Sequence, residues 1–141
     1  MRKRVQWPGG VTLAFAVMLA AGCATTPATP LPPAKVLQPS DLASLAGEWG
    51  GPLRGTMGTG PLAGRSAVGF VTVAPDGSYT SNVSGLPGAG KARIEGGKIV
   101  FEGSNTRGTA TLHEGDGRRV LKGQGTWVGF DGNSEFELTK R

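Results

Sequence analysis

Beyond residue 46 no stretch of the chain sustains a helical period; short β-rich runs alternate instead with glycine. Ile99 and Phe101 alternate with Lys98, Val100 and Glu102, the two-residue period of a strand with one buried face. On this pattern strands are expected near 48–53, 66–73, 78–83, 92–95, 98–102, 109–114, 119–122, 125–130 and 134–140. Ahead of them, 41–46 has room for one short helical turn capped by Ser40 or Asp41. Ala74-Pro75-Asp76-Gly77 places proline where φ is already set and glycine where φ must be positive. Gly96-Gly97 is a two-residue hairpin loop, and Asp116-Gly117 and Asp131-Gly132 supply two more turns.

The Gly96-Gly97 loop fixes a register. Pairing Glu95 with Lys98 sets Ile94 opposite Ile99, Ala92 opposite Phe101 and Lys91 opposite Glu102. The opposite-charge pairs then share one face and the apolar residues the other, which is the arrangement cross-strand pairs favour.

Sequential hairpins without room for helical crossovers predict an all-β fold: a small antiparallel up-and-down β-barrel, or a curled half-barrel, of about eight strands. The inward set is expected to include Trp49, Phe70, Ile94, Ile99, Phe101, Leu112, Trp127, Phe136 and Leu138. Residues 41–141 hold 22 of the 25 glycines, more than the turns need. Gly69, Gly123, Gly125 and Gly129 fall inside or beside strands, where glycine marks a sharp bend or a close backbone approach. Short strands and tight coiling predict a lumen filled by side chains.

Composition adds constraints. A single cysteine excludes a disulfide scaffold and a cysteine-built zinc site. The net charge of +5 includes Arg2, Lys3 and Arg4; without residues 1–22 there are twelve basic and ten acidic side chains, too weak a field for nucleic acid. Those three basic residues precede an apolar run over 11–21. As a helix it spans only about 16 Å, against a hydrocarbon core of about 30 Å. It therefore reads as an export signal rather than a membrane span.

Leu19-Ala20-Ala21-Gly22-Cys23 closes that run. The segment resembles a bacterial lipoprotein signal with its lipobox. The resemblance implies cleavage after Gly22, a diacylglycerol thioether on Cys23 and an acyl chain on the new amino group. Several such chains anchor a protein stably. Ala20 departs from the commonest lipobox, which has leucine there. Ala24 is not the aspartate associated with inner-membrane retention, so the resemblance implies the periplasmic side of the outer membrane. Pro27, Pro30, Pro32, Pro33 and Pro39 follow, predicting a polyproline-like spacer. The expected organisation is a signal over 1–22, a lipidated tether over 23–40 and a barrel domain over 41–141, with the tether dispensable for folding.

Gly47-Glu48-Trp49 at the first strand of an all-β chain resembles the entry of lipocalin-like (calycin) barrels. The resemblance implies that Trp49 plugs one end of the barrel against a late-strand cation, for which Lys140 and Arg141 are the candidates. Read from the residues alone, Trp49 is equally a core aromatic of any first strand.

Chemical motifs are sparse. Residues 85–91, Gly85-Leu86-Pro87-Gly88-Ala89-Gly90-Lys91, fit GxxxxGK, but Ala92 stands where the motif needs a hydroxyl and a strand follows where it needs a helix. This segment is expected to be a flexible loop. Gly58-Thr59-Gly60-Pro61 lies in a long glycine-rich loop over 54–65 without a βαβ unit around it. His113 has only Glu114 and Asp116 for company, too few ligands for a metal, and is expected to be an exposed strand-end residue. Asn82-Val83-Ser84 is an incidental glycosylation sequon. Glu48, Glu102 and Glu135 are carboxylates of undetermined mutual geometry. The function expected is non-catalytic and without cofactor: a structural or protein-binding lipoprotein, held to the membrane through Cys23. The alternatives are a binder of a small apolar ligand or lipid, and an inhibitor of a periplasmic hydrolase.

Overall fold

The computed structural model of the chain describes residues 28–55, 64, 66–104, 106–127 and 134–141. Two-residue strand β1 (Ala34–Lys35) precedes a 3-10 helix over Pro39–Leu45. Eight strands follow: β2 (Gly47–Gly55), β3 (Ser66–Val73), β4 (Ser78–Val83), β5 (Leu86–Glu95), β6 (Lys98–Gly103), β7 (Thr106–Gly115), β8 (Arg118–Trp127) and β9 (Ser134–Lys140). Each pairs antiparallel with the next, and β9 returns to pair with β2, so the eight close into an up-and-down barrel. Closure removes the sheet edges that would otherwise recruit other chains.

The hairpin register stands as expected, with Glu95 opposite Lys98, Ile94 opposite Ile99, Ala92 opposite Phe101 and Lys91 opposite Glu102. Positive φ at Gly96 and Gly97, and at Asp116 and Gly117, makes both loops mirror-type turns that suit the strand twist. Gly77 also has positive φ and donates its N–H to Ala74 at 2.9 Å. The Asp131-Gly132 turn lies outside the described residues.

Several expectations are corrected. Residues 85–91 are not a loop: Ser84 and Gly85 make the turn, and β5 runs from Leu86 onward against β4. Pro87 lies near the start of β5, opposite Asn82 of β4, and strand starts are where proline is accommodated. The strands expected at 119–122 and 125–130 are one strand, β8, passing through Gly123. The helical turn begins earlier than expected. Gln38 is its N-cap, and the Asp41 carboxylate accepts the Gln38 N–H at 2.8 Å.

Trp49, Ile99, Phe101, Leu112, Phe136 and Leu138 are buried as expected, and Ile94 packs partly buried against them. Phe70 is the exception: it points outward and is 40% exposed. The run Ala67-Val68-Gly69-Phe70-Val71 is apolar in both parities, so periodicity does not choose its inner face. The pairing with β2 does. Val71 lies opposite the buried Trp49, and Ala67 opposite Leu53, which puts Phe70 outside. Gly69 leaves the space that Leu53 fills; a Cβ there would stand 2.2 Å from Leu53 Cδ1. For Trp127, only the backbone is described, and Gly129 lies outside the described residues.

The strand glycines permit close packing rather than flexibility. A Cβ on Gly123 would meet the Thr109 carbonyl oxygen at 2.2 Å and Phe136 Cζ at 2.7 Å. One on Gly125 would meet the Arg107 carbonyl oxygen at 2.6 Å. Backbone on one side and a core ring on the other leave nothing cheap to move. Gly123→Ala is expected to cost about 1–3 kcal/mol, a fall in melting temperature of about 4 °C or more for a domain this small. An unchanged melting temperature in a thermal scan would contradict this reading of the glycines.

The segment expected as a detached tether is part of the fold from Pro30 onward. Ala34 and Lys35 pair with His113 and Leu112 of β7. The Glu114 N–H donates to the Pro33 carbonyl at 3.1 Å, and the Leu37 N–H to the Gly97 carbonyl at 3.2 Å. Pro32 and Leu37 are buried, and Leu37 belongs to the main core. Packing on the barrel thus begins ahead of the expected 40/41 boundary. Proline prevents helix but not docking: an extended strap presents its carbonyls and stiff rings to whatever lies alongside.

Candidate functional site

Two regions of the barrel carry candidate chemistry: the closed end and the lumen. At one end the strap and the 3-10 helix cross beneath the β3–β4, β5–β6 and β7–β8 turns. Leu45 and Trp49 are buried beneath the crossing, and Trp49 Nε1 donates to the Leu45 carbonyl at 2.9 Å. The Arg119 guanidinium and the Lys140 ammonium each lie 5.7 Å from the Trp49 ring centroid. Both cations meet the negative face of the ring. Lys140 points inward because it shares the parity of Phe136 and Leu138 on β9. Burial, and then the neighbouring Arg119, push its ammonium below the usual lysine range. Arg119 is held in place by donating to the Ser44 carbonyl at 2.8 Å and by Glu114 at 3.6 Å.

Of the two cations expected beside Trp49, Lys140 is there and Arg141 is not. Arg141 stacks on the outer face of Phe70, 4.5 Å from the ring centroid. Arg119 was not legible as a partner, since it follows the β7–β8 turn and nothing local ties it to residue 49.

His113 is not the exposed residue expected of a strand end. It is half-buried, and its Nδ1 donates to the Pro32 carbonyl at 2.9 Å. Arg118 donates to the Pro30 carbonyl at 3.2 Å, and Lys35 pairs with Glu114 at 3.2 Å. The histidine thus serves to hold the strap. No group of three or more His, Cys, Asp or Glu side chains converges among the described residues.

Among the described residues, side chains fill the lumen. Tyr79 and Phe101 meet edge to face with centroids 5.3 Å apart, and Phe101 meets Phe136 at 6.5 Å. The Tyr79 hydroxyl hydrogen-bonds the Thr106 hydroxyl, and burial pushes the phenol up from its ordinary range. Gly90 and Gly103 make room for that hydroxyl: a Cβ on either would stand within 2.8 Å of it. The void left between Val71, Tyr79, Phe101, Thr106, Phe136 and Leu138 is about 20 Å³. That is space for one water, whereas small-molecule sites occupy about 300–1,000 Å³. A larger, open depression of about 360 Å³ lies outside, over β6–β8, with Glu102, Arg107, Thr109, Gln124 and Thr126 around it.

The remaining motif residues do not assemble. Lys91 of the GxxxxGK segment pairs with Asp76 at 2.9 Å on the barrel exterior. The Asp76 carboxyl is held below the ordinary range, first by the Ser78 hydroxyl and N–H and then by Lys91. Glu102 is likewise lowered, by its hydrogen bond from Arg93. Glu48, Glu102 and Glu135 are exposed on three separate strands and do not form a pair. Asn82 of the sequon accepts the Gly85 N–H at 2.9 Å and so supports the β4–β5 turn. Cys23 and the Gly58-Thr59-Gly60-Pro61 segment lie outside the described residues.

No protein-family model, curated protein or solved structure matches the chain.

Proposed function

We propose that the protein is a lipid-anchored envelope lipoprotein whose barrel is non-catalytic and acts through its surface, as a structural or protein-binding module on the periplasmic side of the outer membrane. The observation that carries the surface role is the void among the described lumen residues, which at about 20 Å³ is far below the roughly 300–1,000 Å³ of a small-molecule site. The anchor reading rests on Arg2, Lys3 and Arg4, the apolar run, the small residues before Cys23 and the absence of any other cysteine. A lipocalin-like role is the second reading. It is favoured by Trp49 sealing one end beneath Arg119 and Lys140, and disfavoured by the filled interior. Inhibition of a periplasmic hydrolase is one form the surface role could take.

Cys23→Ser tests the anchor. Cells fed a labelled fatty acid should label the wild-type protein, and the mutant should carry no label and accumulate as uncleaved precursor. Equal label in both would contradict the proposal.

A further inference from the structure

We infer that the docked strap sets which end of the barrel meets the membrane: the Trp49 end faces the lipid surface and the Ser84-Gly85 end points away. The inference rests on the lipid-anchor reading of Cys23. A tether running from residue 23 to residue 40 would reach about 50 Å at ~3.1 Å per residue and leave the barrel without a preferred attitude. The strap removes most of that reach. Hydrogen bonds at Pro30, Pro32 and Pro33, the β1–β7 pairing and the burial of Leu37 fasten the chain to the barrel from Pro30 on.

Seven Cα–Cα steps then separate Pro30 from Cys23, a covalent limit of about 25 Å even at full extension. The point of departure is at the closed end, where Arg118 of the β7–β8 hairpin holds Pro30. The far end of the barrel stands about 25 Å away, given ten-residue strands β7 and β8 and the usual strand tilt. Bringing that end to the lipid would need the whole tether stretched straight along the barrel wall. Charge does not set the attitude, since Lys35, Lys98 and Arg118 are interspersed at the closed end with Asp41, Glu95 and Asp116. The short leash does.

Two hairpin positions of matching conformation report on the two ends. Asp116 and Ser84 both have positive φ, are exposed, and lead a two-residue turn at opposite ends. Asp116→Cys and Ser84→Cys, each in the full lipidated protein, would be labelled with a donor fluorophore; Cys23 is blocked by its thioether. The proteins would be added to preformed phosphatidylethanolamine–phosphatidylglycerol vesicles carrying a headgroup acceptor dye. Quenching at residue 116 is expected to be at least about twofold stronger than at residue 84, given their separation of ~25 Å. Inserting about twelve Gly/Ser residues between Ala24 and Thr25 lengthens the leash and is expected to erase most of the difference. Equal quenching, or stronger quenching at residue 84, would overturn the orientation, and a difference unmoved by the insertion would overturn the strap as what sets it, each while leaving the anchor intact. A protein without fatty acid on Cys23 would overturn the anchor reading, and the orientation with it.

Discussion

A chain beginning at Asp41 is expected to melt at least about 10 °C below one beginning at Ala24. Leu37 is 1% exposed and belongs to the main core. Emptying a buried leucine site costs about 2–5 kcal/mol, and each kcal/mol lowers the melting temperature of a domain this size by roughly 4–8 °C. The truncation removes more than Leu37. It takes away the β1 pairing and leaves the Gly97 carbonyl and the His113 ring without their strap partners. It also removes Gln38, the cap of the 3-10 helix. Leu37→Ala in the longer chain should reproduce most of the loss. Thermal scans by circular dichroism would decide it, and coincident melting of the two chains would show that the strap contributes nothing to folding.

Trp49→Ala carries the second large effect. The indole is fully buried, donates to the Leu45 carbonyl and lies beneath two cations. Losing it costs about 3–5 kcal/mol, a large part of the 5–15 kcal/mol typical of a folded domain. Two further consequences follow. The Leu45 carbonyl loses its donor, and Lys140, already strained toward its neutral form by burial and Arg119, loses the ring beneath it. Trp49→Phe keeps an aromatic face under the cations and loses the Nε1 donor, so about 1–2 kcal/mol is expected. Chemical denaturation of the two variants measures the difference. A cost below about 1 kcal/mol for Trp49→Ala would contradict the role of Trp49 as the plug of the closed end.

What the sequence made legible follows from where two signals agreed. Around Gly96-Gly97 the turn type and the polar–apolar alternation each specify the same register, and that register is the one found. On β3 only one signal was present, because Val68 and Phe70 are as apolar as Ala67 and Val71. The facing strand had to choose. The GxxxxGK segment hid a strand because glycine and proline dominate it, yet glycine is what Gly90 needs to sit beneath the Tyr79 hydroxyl. The strap was hidden by brevity. One leucine and a two-residue strand among prolines give no period to detect, and the residues that hold it, His113 and Arg118, lie some 80 positions away. Arg119 above Trp49 was invisible for the same reason: the contact is made by barrel closure, not by local sequence.

Among the described residues the interior is filled by Tyr79, Phe101 and Phe136 around a void of about 20 Å³, and the proposed surface role depends on that filling. The decisive measurement is native mass spectrometry of the chain beginning at Ala24, purified without detergent, together with titration of a fluorescent fatty acid. The mass is predicted to be that of the polypeptide alone, with no displaceable fluorescence change. A co-purified lipid, or displaceable binding in the micromolar range, would contradict the filled barrel and restore the lipocalin-like reading.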